Sequence, residues 1–277
     1  RLNLTVRGNI TVHRVLFQGK RAVGMEAESG DQTFTMEGDQ VILCAGAVAS
    51  PQILMLSGVG PVGHLGSLGI ASLHDLPGVG QNLRDHPAAF LLFKGAGDPP
   101  SDDAASIQVG LRFSTPGSST RADFQLTPIL MNSEHRPSSV FIEGDDFHFG
   151  LSVGLQNATS AGELTLVSTD PRVQPNLNYD FLTDPYDRER MREALRTAIK
   201  ISEHEQFRDL IVERLNPTDE DLASDEALDN WMLRNVYTQH HISGTCKMGS
   251  AGDSMAVVDQ FGHVHAMENL RVVDASI

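Results

Sequence analysis

Residues 41–60 of the 277-residue chain read VILCAGAVASPQILMLSGVG. Residues 41–45 are continuously apolar, which predicts a short strand buried on both faces, and the run ends at Gly46. A helix is predicted next, capped by Ser50 and with Pro51 in its first turn. Strand, glycine and helix in this order can bind a phosphate or a nucleotide, because a ligand can approach the backbone at glycine and the helix N-terminus favours anions. The same pattern also occurs in α/β proteins that bind no ligand.

The first fifty residues read as β-rich. Short strands are predicted at residues 2–6, 10–17, 21–28, 33–36 and 40–45, separated by the turn pairs Gly8-Asn9, Gly19-Lys20 and Gly30-Asp31. No charged segment followed by an apolar segment and a cleavage site precedes the first strand. We therefore expect the chain to begin within a domain.

The pattern changes beyond Lys94, where loops rich in Gly, Pro, Ser and Asp are predicted at residues 95–106, 115–122 and 132–139. Apolar residues alternate with a period of two in the segments near these loops, which predicts an antiparallel sheet. Three apolar faces are expected: Ile107, Val109, Leu111 and Phe113; Phe147, Phe149, Leu151, Val153 and Leu155; and Leu164 with Leu166.

Two amphipathic helices are predicted after this sheet. The first starts near Thr183 or Asp184 with Pro185 in its first turn, and the second covers residues 224–236. Trp231, the single tryptophan, has helical spacing with apolar neighbours and is predicted to pack in the core.

Composition excludes several classes of protein. The chain has 21 Lys and Arg against 36 Asp and Glu, a formal charge of −15, and the absence of a basic stripe argues against nucleic-acid or anionic-membrane binding. No apolar run approaches the roughly 20 residues of a membrane helix. Cys44 and Cys246 lie far apart without further pairs, which favours a reducing compartment, and we expect the protein to be cytoplasmic.

The segment that holds reactive side chains is near the C-terminus, where residues 240–249 read HHISGTCKMG. Adjacent side chains on a strand point to opposite faces, so His240 and His241 are not expected to bind one metal ion, and no metal site is predicted. A nucleophilic Cys–His pair is disfavoured because no oxyanion site accompanies Cys246. Two interpretations remain: one histidine acts as an acid–base catalyst near neutral pH, or both are structural.

Three motifs resemble those of the glucose-methanol-choline oxidoreductases. Residues 46–60 resemble the second signature of that family, residues 76–87 (LPGVGQNLRDHP) resemble a downstream motif, and the tail contains H-x-x-G-T-C-x-M-G followed by V-V-D-A-S-I. The tail is most similar to the choline-dehydrogenase-like and mycofactocin-associated branch. Ala161, Ala266 and Asn269 depart from the family pattern, which has Arg at the first position and glycines at the other two.

The resemblance implies a fold of mixed α/β and α+β class, with part of an FAD-binding domain of the glutathione-reductase type and a substrate domain built on an antiparallel sheet with helices. The expected ranges are 1–94 for the FAD-binding part, 95–236 for the substrate domain, and 237–277 for a return to the FAD-binding domain and active site. The implied cofactor is FAD. By position, Val12 would offer its backbone to the adenine, Ala45 and Gly46 would lie beside the nucleotide, and Asp274 with Ala275 would approach the ribityl chain and pyrophosphate.

His241 matches the catalytic base of the family, because it lies three residues before Gly244 in the tail motif. The resemblance therefore implies oxidation of a small-molecule alcohol to an aldehyde or ketone, with hydride transfer to the flavin and His241 taking the hydroxyl proton. His240 is expected to face the other way and to pack.

The G-x-G-x-x-G turn with which the family begins does not occur in the sequence. The resemblance thus predicts that the chain corresponds to the C-terminal part of a longer enzyme and is inactive alone. Two alternatives stay open: an FAD-containing hydroxynitrile lyase of the same fold, and a non-catalytic binding module. The sequence leaves open which alcohol and which electron acceptor are used, and whether the flavin is covalently attached.

Overall fold

The computed structural model describes residues 3–98, 101, 103–131 and 147–277. The predicted loop at residues 132–139 lies outside these ranges. In chain order the elements are β1 (Thr11–Gln18), β2 (Arg21–Ser29), β3 (Gln32–Glu37), β4 (Val41–Leu43), α1 (Gly46–Leu56), β5 (Val59–Gly60), α2 (Val62–Ser67), β6 (His74–Asp75), β7 (Gln81–Leu83), β8 (Pro87–Gly95), β9 (Leu111–Phe113), β10 (Phe124–Leu130), β11 (His148–Leu155), β12 (Gly162–Thr165), β13 (Asn176–Asn178), α3 (Pro185–Ser202), a 3-10 turn (Glu205–Phe207), β14 (Ile211–Asn216), α4 (Asp225–Asn235), β15 (Tyr237–Thr238) and β16 (Leu270–Val272).

The chain forms two compact units. Unit 1 contains residues 1–84, 161–180 and 242–277, and unit 2 contains residues 85–160 and 181–241. These limits differ from the three contiguous ranges expected from the sequence, chiefly because residues 161–180 leave the expected substrate range and join unit 1. The assignment of FAD-binding and substrate-binding roles to the sequence ranges stays a prediction.

Unit 1 consists of small sheets around one apolar core. Strands β1, β2 and β3 form an antiparallel meander, β13, β12 and β7 form a second antiparallel sheet, and β16 with β4 and β5 with β6 form parallel pairs. The core joins α1 to these sheets through fully buried residues such as Leu54, Met55 and Leu270. Leu164, expected in the substrate sheet, is buried in this core because β12 pairs with β7.

Unit 1 differs from the sequence prediction in its first strand. The described residues before Thr11 form no strand, and the side chains of Leu4 and Val6 are 64% and 83% exposed. The alternation of these apolar residues predicted a strand wrongly, because no element in the described part of the chain covers the face that they would form. The strand at 41–45 also differs: Val41 and Leu43 are buried, but Ile42 is 50% exposed, so only one face of β4 is covered.

Helix α1 starts five residues earlier than predicted, at Gly46 instead of at Pro51 after a Ser50 cap. Pro51 therefore lies inside the helix, where it has no N–H to donate to the carbonyl of Ala47. The hydroxyl of Thr245 donates to that carbonyl at 2.6 Å instead. A side chain from a distant part of the chain thus compensates for the missing helical hydrogen bond, and the local sequence pattern could not reveal it.

Unit 2 contains an antiparallel sheet in the order β14-β8-β11-β10-β9, with β15 also paired to β8. Helices α3 and α4 cover one face of the sheet, and their side chains pack with alternate residues of its strands, among them Phe93, Leu126 and Leu151. The predicted start of α3 is confirmed, since Asp184 caps the helix by accepting a hydrogen bond from the Tyr186 amide at 2.8 Å. Trp231 is buried in this core, as predicted, and donates to Asn216 Oδ1 at 2.8 Å.

One predicted face of this sheet is wrong. Ile107, Val109 and Leu111 are 58%, 64% and 47% exposed, and β9 is only three residues long. Only Phe113 of that set packs against the core, through Phe124 on β10. The second predicted face is confirmed, because its five side chains all pack in the core of unit 2: Phe147, Phe149, Leu151, Val153 and Leu155.

Among the described residues, the longest helices lack the length and apolar character required to cross a bilayer.

Candidate active site

Asp274 connects the segment after β16 to the start of helix α1. Its Oδ2 accepts hydrogen bonds from the Gly46 amide at 2.9 Å and the Ser50 hydroxyl at 2.6 Å. Its Oδ1 accepts from the amide and the hydroxyl of Ser276 at 2.8 and 2.6 Å. Burial opposes the ionised form, but the hydrogen bonds from Ser276, Ser50 and Gly46 outweigh it and lower the pKa of Asp274. The carboxylate is therefore charged at neutral pH.

A carboxylate offers about four lone-pair positions, and protein donors occupy all four on Asp274. Its side chain therefore acts as a clamp between the C-terminal segment and α1. Ala275 is fixed in the same way, because its carbonyl accepts from the Gly244 amide at 3.1 Å. Any ligand contact from these two residues would have to use the remaining main-chain groups.

Gly46 lies at the turn between β4 and α1 with a φ of +84°. A Cβ built on this glycine would meet no atom within 4 Å, so the turn borders open space. The preceding residue, Ala45, donates its amide to the Ser50 hydroxyl at 3.1 Å. The structure thus brings Ala45, Gly46, Asp274 and Ala275 together in unit 1, and their expected contacts with FAD stay a prediction.

Val12 lies on β1, where it pairs with Ala27 of β2 and packs against the core of unit 1. A register shift follows directly, between Val12 and Arg14. The hydrogen bonds that join Gly46, Ser50 and Asp274 do not include Val12, and its expected contact with adenine stays a prediction.

His241 belongs to unit 2, where Asp85 fixes its main chain. Asp85 is 6% exposed and its Oδ1 accepts from the amides of His241 at 3.0 Å and His86 at 2.7 Å. Its Oδ2 accepts from the hydroxyl of Thr238, which in turn accepts from the His240 amide at 2.9 Å. One buried carboxylate therefore sets the backbone geometry on both sides of the two adjacent histidines.

The expected packing role of His240 is wrong. His240 and His241 are both exposed, and both line the same pocket of unit 2. The strand β15 ends at Thr238, and His240 has a φ of +62°, so the two side chains do not alternate as they would on a strand.

His86 contacts the ring of His241 edge to face, with the ring centroids 5.1 Å apart and an angle of 77° between the planes. Burial lowers the pKa of His86, and the charge of a protonated His241 lowers it further, against the opposing effect of Asp85. His86 is therefore a neutral neighbour at neutral pH, and its ring restricts the positions open to the His241 side chain.

The pocket in unit 2 has a volume of about 460 Å³ and lies on the sheet face opposite α3 and α4. It is lined by Ile107, Gln125, Thr127, Ile129, Ser152, Tyr237, Thr238, Gln239, His240 and His241. Strand β10 supplies three of these side chains at alternate positions, while its other face packs in the core. Among the described residues of the lining, the ionisable groups are the two histidines and the phenol of Tyr237.

Neutral hydrogen bonds hold the polar side chains of this pocket in place. Gln125 donates to Thr127 Oγ1 at 3.1 Å, and the hydroxyls of Ser152 and Tyr237 are 2.6 Å apart. Burial raises the pKa of Tyr237 more than its hydrogen bond with Ser152 lowers it, so the phenol stays protonated.

Gln239 lies over β11 where the strand has Gly154. A Cβ on that glycine would come 2.4 Å from Gln239 Nε2, so the position needs glycine for this close approach. Gln156 donates to Gln239 Oε1 at 3.2 Å, which fixes the orientation of the amide.

Sequence reasoning missed Asp85 and His86 although both lie in the quoted motif at residues 76–87. The sequence did contain a signal for both residues: an acidic side chain next to a histidine, directly before Pro87, where strand β8 begins. The pocket residues on β10 and β11 had no signal in the sequence beyond strand alternation.

Cys246 is fully buried and burial raises its pKa to about 12, so it is not a nucleophile. In the described ranges no three His, Cys, Asp or Glu side chains are placed to share a metal ion.

Two family profiles match the chain. A profile described as GMC oxidoreductase, the abbreviation of glucose-methanol-choline, matches residues 1–88, and a second with the same description matches residues 158–277. Together they span both ends of the chain.

Individual relatives agree with these matches. The oxygen-dependent choline dehydrogenase 1 of Chromohalobacter salexigens is 34% identical over an alignment that covers 100% of this chain and 53% of that protein. The structure of pyridoxine 4-oxidase from Mesorbium loti has a TM-score of 0.87 at 27% identity, covering 97% of this chain and 52% of the other. An Aspergillus oryzae RIB40 formate oxidase, studied for its FAD modification, has a TM-score of 0.81 at 25% identity, covering 97% of this chain and 55% of the other. The chain thus spans about half the length of the curated relatives it matches.

Proposed function

The chain belongs to the GMC oxidoreductase family, and from this premise we propose that it forms part of an FAD-dependent enzyme that oxidises an alcohol to an aldehyde or ketone. In this proposal His241 is the general base. The observation that carries the assignment is the fixed position of His241 at the pocket of unit 2, with Asp85 holding its main chain and His86 against its ring.

The features of unit 1 fit an uncharged part of FAD. Open space borders the Gly46 turn, where a ligand could run close to the main chain. The Asp274 carboxylate already supplies the negative charge that the N-terminus of α1 favours. The ribityl chain or the flavin ring therefore fits beside Gly46 better than the pyrophosphate does, while the adenine contact of Val12 remains part of the proposal.

When bound, FAD supplies the acceptor for the hydride that the alcohol carbon loses. The other product is the hydroxyl proton, for which His241 is the proposed acceptor. An unprotonated imidazole can take this proton when it lies within hydrogen-bond reach of the hydroxyl group. His86 is neutral, so it does not repel the positive charge that His241 gains.

Asp85 contributes to this step by position. Because its oxygens accept from the amides of His86 and His241 and the hydroxyl of Thr238, it fixes the backbone that carries the base. We regard Asp85 as a positioning residue.

The proposal is tested by His241→Ala in the whole protein. Loss of a positioned general base should slow flavin reduction by a good alcohol substrate by about 100-fold or more, while flavin stays bound. His240→Ala is the matched control, since it removes the adjacent imidazole from the same pocket. It should slow reduction far less, and stopped-flow absorbance of the flavin measures both rates. Equal losses in the two variants would contradict the assignment of His241.

The same measurement separates the proposal from the hydroxynitrile lyase and the binding module. Anaerobic addition of alcohol bleaches the flavin only if the enzyme catalyses net oxidation. A protein that binds FAD and is not bleached by any alcohol of a broad panel would overturn the proposed function.

A further inference from the structure

Gln156 lies behind the pocket of unit 2, and its hydrogen bonds fix the direction of its side-chain amide. The oxygen of an amide accepts and the nitrogen donates, so the two ends are distinguished by the groups that they contact. Gln156 Oε1 accepts from Arg112 Nη2 at 3.0 Å, and Gln156 Nε2 is 3.5 Å from the carbonyl oxygen of Gly154. Arginine cannot accept a hydrogen bond and a carbonyl cannot donate one. The reverse orientation of Gln156 would therefore lose both contacts.

The orientation of Gln156 sets that of Gln239, which lines the pocket. Gln156 Nε2 donates to Gln239 Oε1 at 3.2 Å, so the oxygen of Gln239 must face Gln156. The nitrogen of Gln239 lies over Gly154, two residues from Ser152 of the lining and on the same face of β11. Because Nε2 carries two N–H bonds, it can donate to a ligand even where the protein uses one of them.

Gln239 and His241 are fixed by different neighbours in this pocket. The Gln239 amide lies over Gly154, whereas the ring of His241 lies against that of His86. Between them, His240 has a left-handed backbone conformation, so the chain turns and the side chains are not placed as on a strand. A ligand whose hydroxyl reaches His241 can therefore meet the Gln239 amide with a second polar atom. Since Nε2 donates, that atom must be an acceptor.

We propose that Gln239 determines the substrate specificity of this pocket by donating a hydrogen bond to a second oxygen of the alcohol, separate from the hydroxyl that reacts at His241. The substrate class is an alcohol with an ether, carbonyl or hydroxyl oxygen near the reacting carbon. The inference rests on the proposed function, because it takes His241 as the base in the same pocket. A site that hydrogen-bonds one substrate atom disfavours analogues without that atom, because its own donor is left unpaired.

Two pairs of alcohols of matched size test this specificity. 2-Methoxyethanol and 3-methoxypropan-1-ol carry an ether oxygen where butan-1-ol and pentan-1-ol carry a methylene group. We define the ether ratio as kcat/KM for the ether alcohol divided by kcat/KM for its partner, measured in the whole protein with FAD. Comparing this ratio between a variant and the native protein cancels the intrinsic reactivities of the alcohols. Where a compound is not oxidised, its inhibition constant against a working alcohol replaces kcat/KM.

Gln239→Met removes the proposed donor and keeps the length of the side chain. The ether ratio should fall by about 10-fold for at least one pair, the effect expected for one neutral hydrogen bond. Unchanged ratios for both pairs in a folded enzyme whose flavin is reduced would overturn the inference. If none of the alcohols reduced the flavin of the native protein, the proposed function would fail instead.

Gln156→Glu tests the direction of the hydrogen bonds from outside the pocket lining. A glutamate here still accepts from Arg112, but it also accepts from Gln239, whose amide should then turn its oxygen towards the pocket. The amide of Gln156 donates to the Asp123 carbonyl at 2.7 Å, and the substitution leaves this main-chain bond in place. The ether ratio should fall by about 10-fold or more, because two acceptors then face each other.

Gln206→Glu is the matched control, since it makes the same charge change at an exposed position of unit 2. It should leave the ether ratio unchanged. Equal ratios in Gln156→Glu and the native protein, or equal shifts in Gln156→Glu and Gln206→Glu, would contradict the donor role of Gln239.

Discussion

At the scale of single residues, the clearest feature is the Gly46 turn. Its backbone is in the left-handed region and the space beside it is open, so a side chain there would occupy the volume proposed for FAD. Gly46→Ala should therefore weaken flavin binding by about 10-fold or more, and flavin absorbance per mole of folded protein after desalting measures it.

Gly69→Ala is the matched control for that substitution. Gly69 lies in the same unit with a φ of +73°, and a Cβ there also meets no atom within 4 Å. Both variants lose stability from backbone strain, but only Gly46→Ala should lose flavin. Full flavin content in Gly46→Ala would refute the proposed contact.

Two residues of the tail adopt conformations that glycine prefers. Ala266 and Asn269, which stand where the resembling family has glycines, both have a φ of +58°. Ala266 is exposed, so Ala266→Gly leaves no cavity and removes a left-handed strain of about 1 kcal/mol. The midpoint of denaturant unfolding should rise accordingly.

Two control substitutions are expected to change the stability of the protein by different amounts and in different directions. Asn269→Gly should stabilise less, because asparagine tolerates the left-handed region. Ala251→Gly, at an exposed position without a positive φ, should lower stability slightly through the added freedom of the unfolded chain. If Ala251→Gly and Ala266→Gly changed stability equally, strain at Ala266 would be excluded.

At the scale of elements, a buried ion-pair network joins helix α3 to the start of β10. Arg190 is 3% exposed and donates to Asp123 at 3.0 Å and to Asp187 at 2.7 Å, and both carboxylates are fully buried. Burial opposes ionisation of Asp187, yet hydrogen bonds from Ser160, Thr159 and Arg190 lower its pKa overall. The network therefore anchors the strand whose opposite face carries Gln125 and Thr127.

Arg190→Ala should destabilise unit 2 by about 3–5 kcal/mol, because two buried carboxylates lose their cation. Arg196→Ala on the same helix removes a more exposed ion pair with Asp225 and should cost less than about 1 kcal/mol. Chemical denaturation followed by Trp231 fluorescence reports on this unit, since Trp231 packs in its core.

Replacement of the whole network separates charge burial from packing. A triple variant with Arg190→Ala, Asp123→Asn and Asp187→Asn removes all three charges without restoring the arginine stem, and it should recover part of the stability lost in Arg190→Ala. No recovery would indicate that lost packing of the arginine stem, not unpaired charge, causes the loss.

At the scale of the whole molecule, the chain builds two units with separate apolar cores, and it passes from one unit to the other after residues 84, 160, 180 and 241. The formal charge of −15 is the reason why nucleic-acid binding is not expected, and this expectation stays a prediction. Cys44 and Cys246 are both free thiols in the structure. The cytoplasmic location inferred from these two cysteines stays a prediction.

The sequence by itself determined the family, the mixed fold class and most of the long regular elements. These properties depend on local information: the glycine-containing motifs, the Asp184 cap of α3, and the alternation along β11 that follows from pairing on both sides. The role of His241 was also indicated locally, by its spacing to Gly244, and it stays a prediction.

Only the tertiary structure decided which residues join distant parts of the chain. Asp274 clamps Gly46 across 228 residues, and Thr245 replaces the helical hydrogen bond that Pro51 cannot make across 198 residues to Ala47. Residues 161–180 join unit 1 because β12 pairs with β7, and the pocket lined by His241 forms because β10, β11 and β15 belong to one sheet. Such contacts form between segments that are far apart in the sequence. A local pattern of residues does not contain the free energy of this pairing.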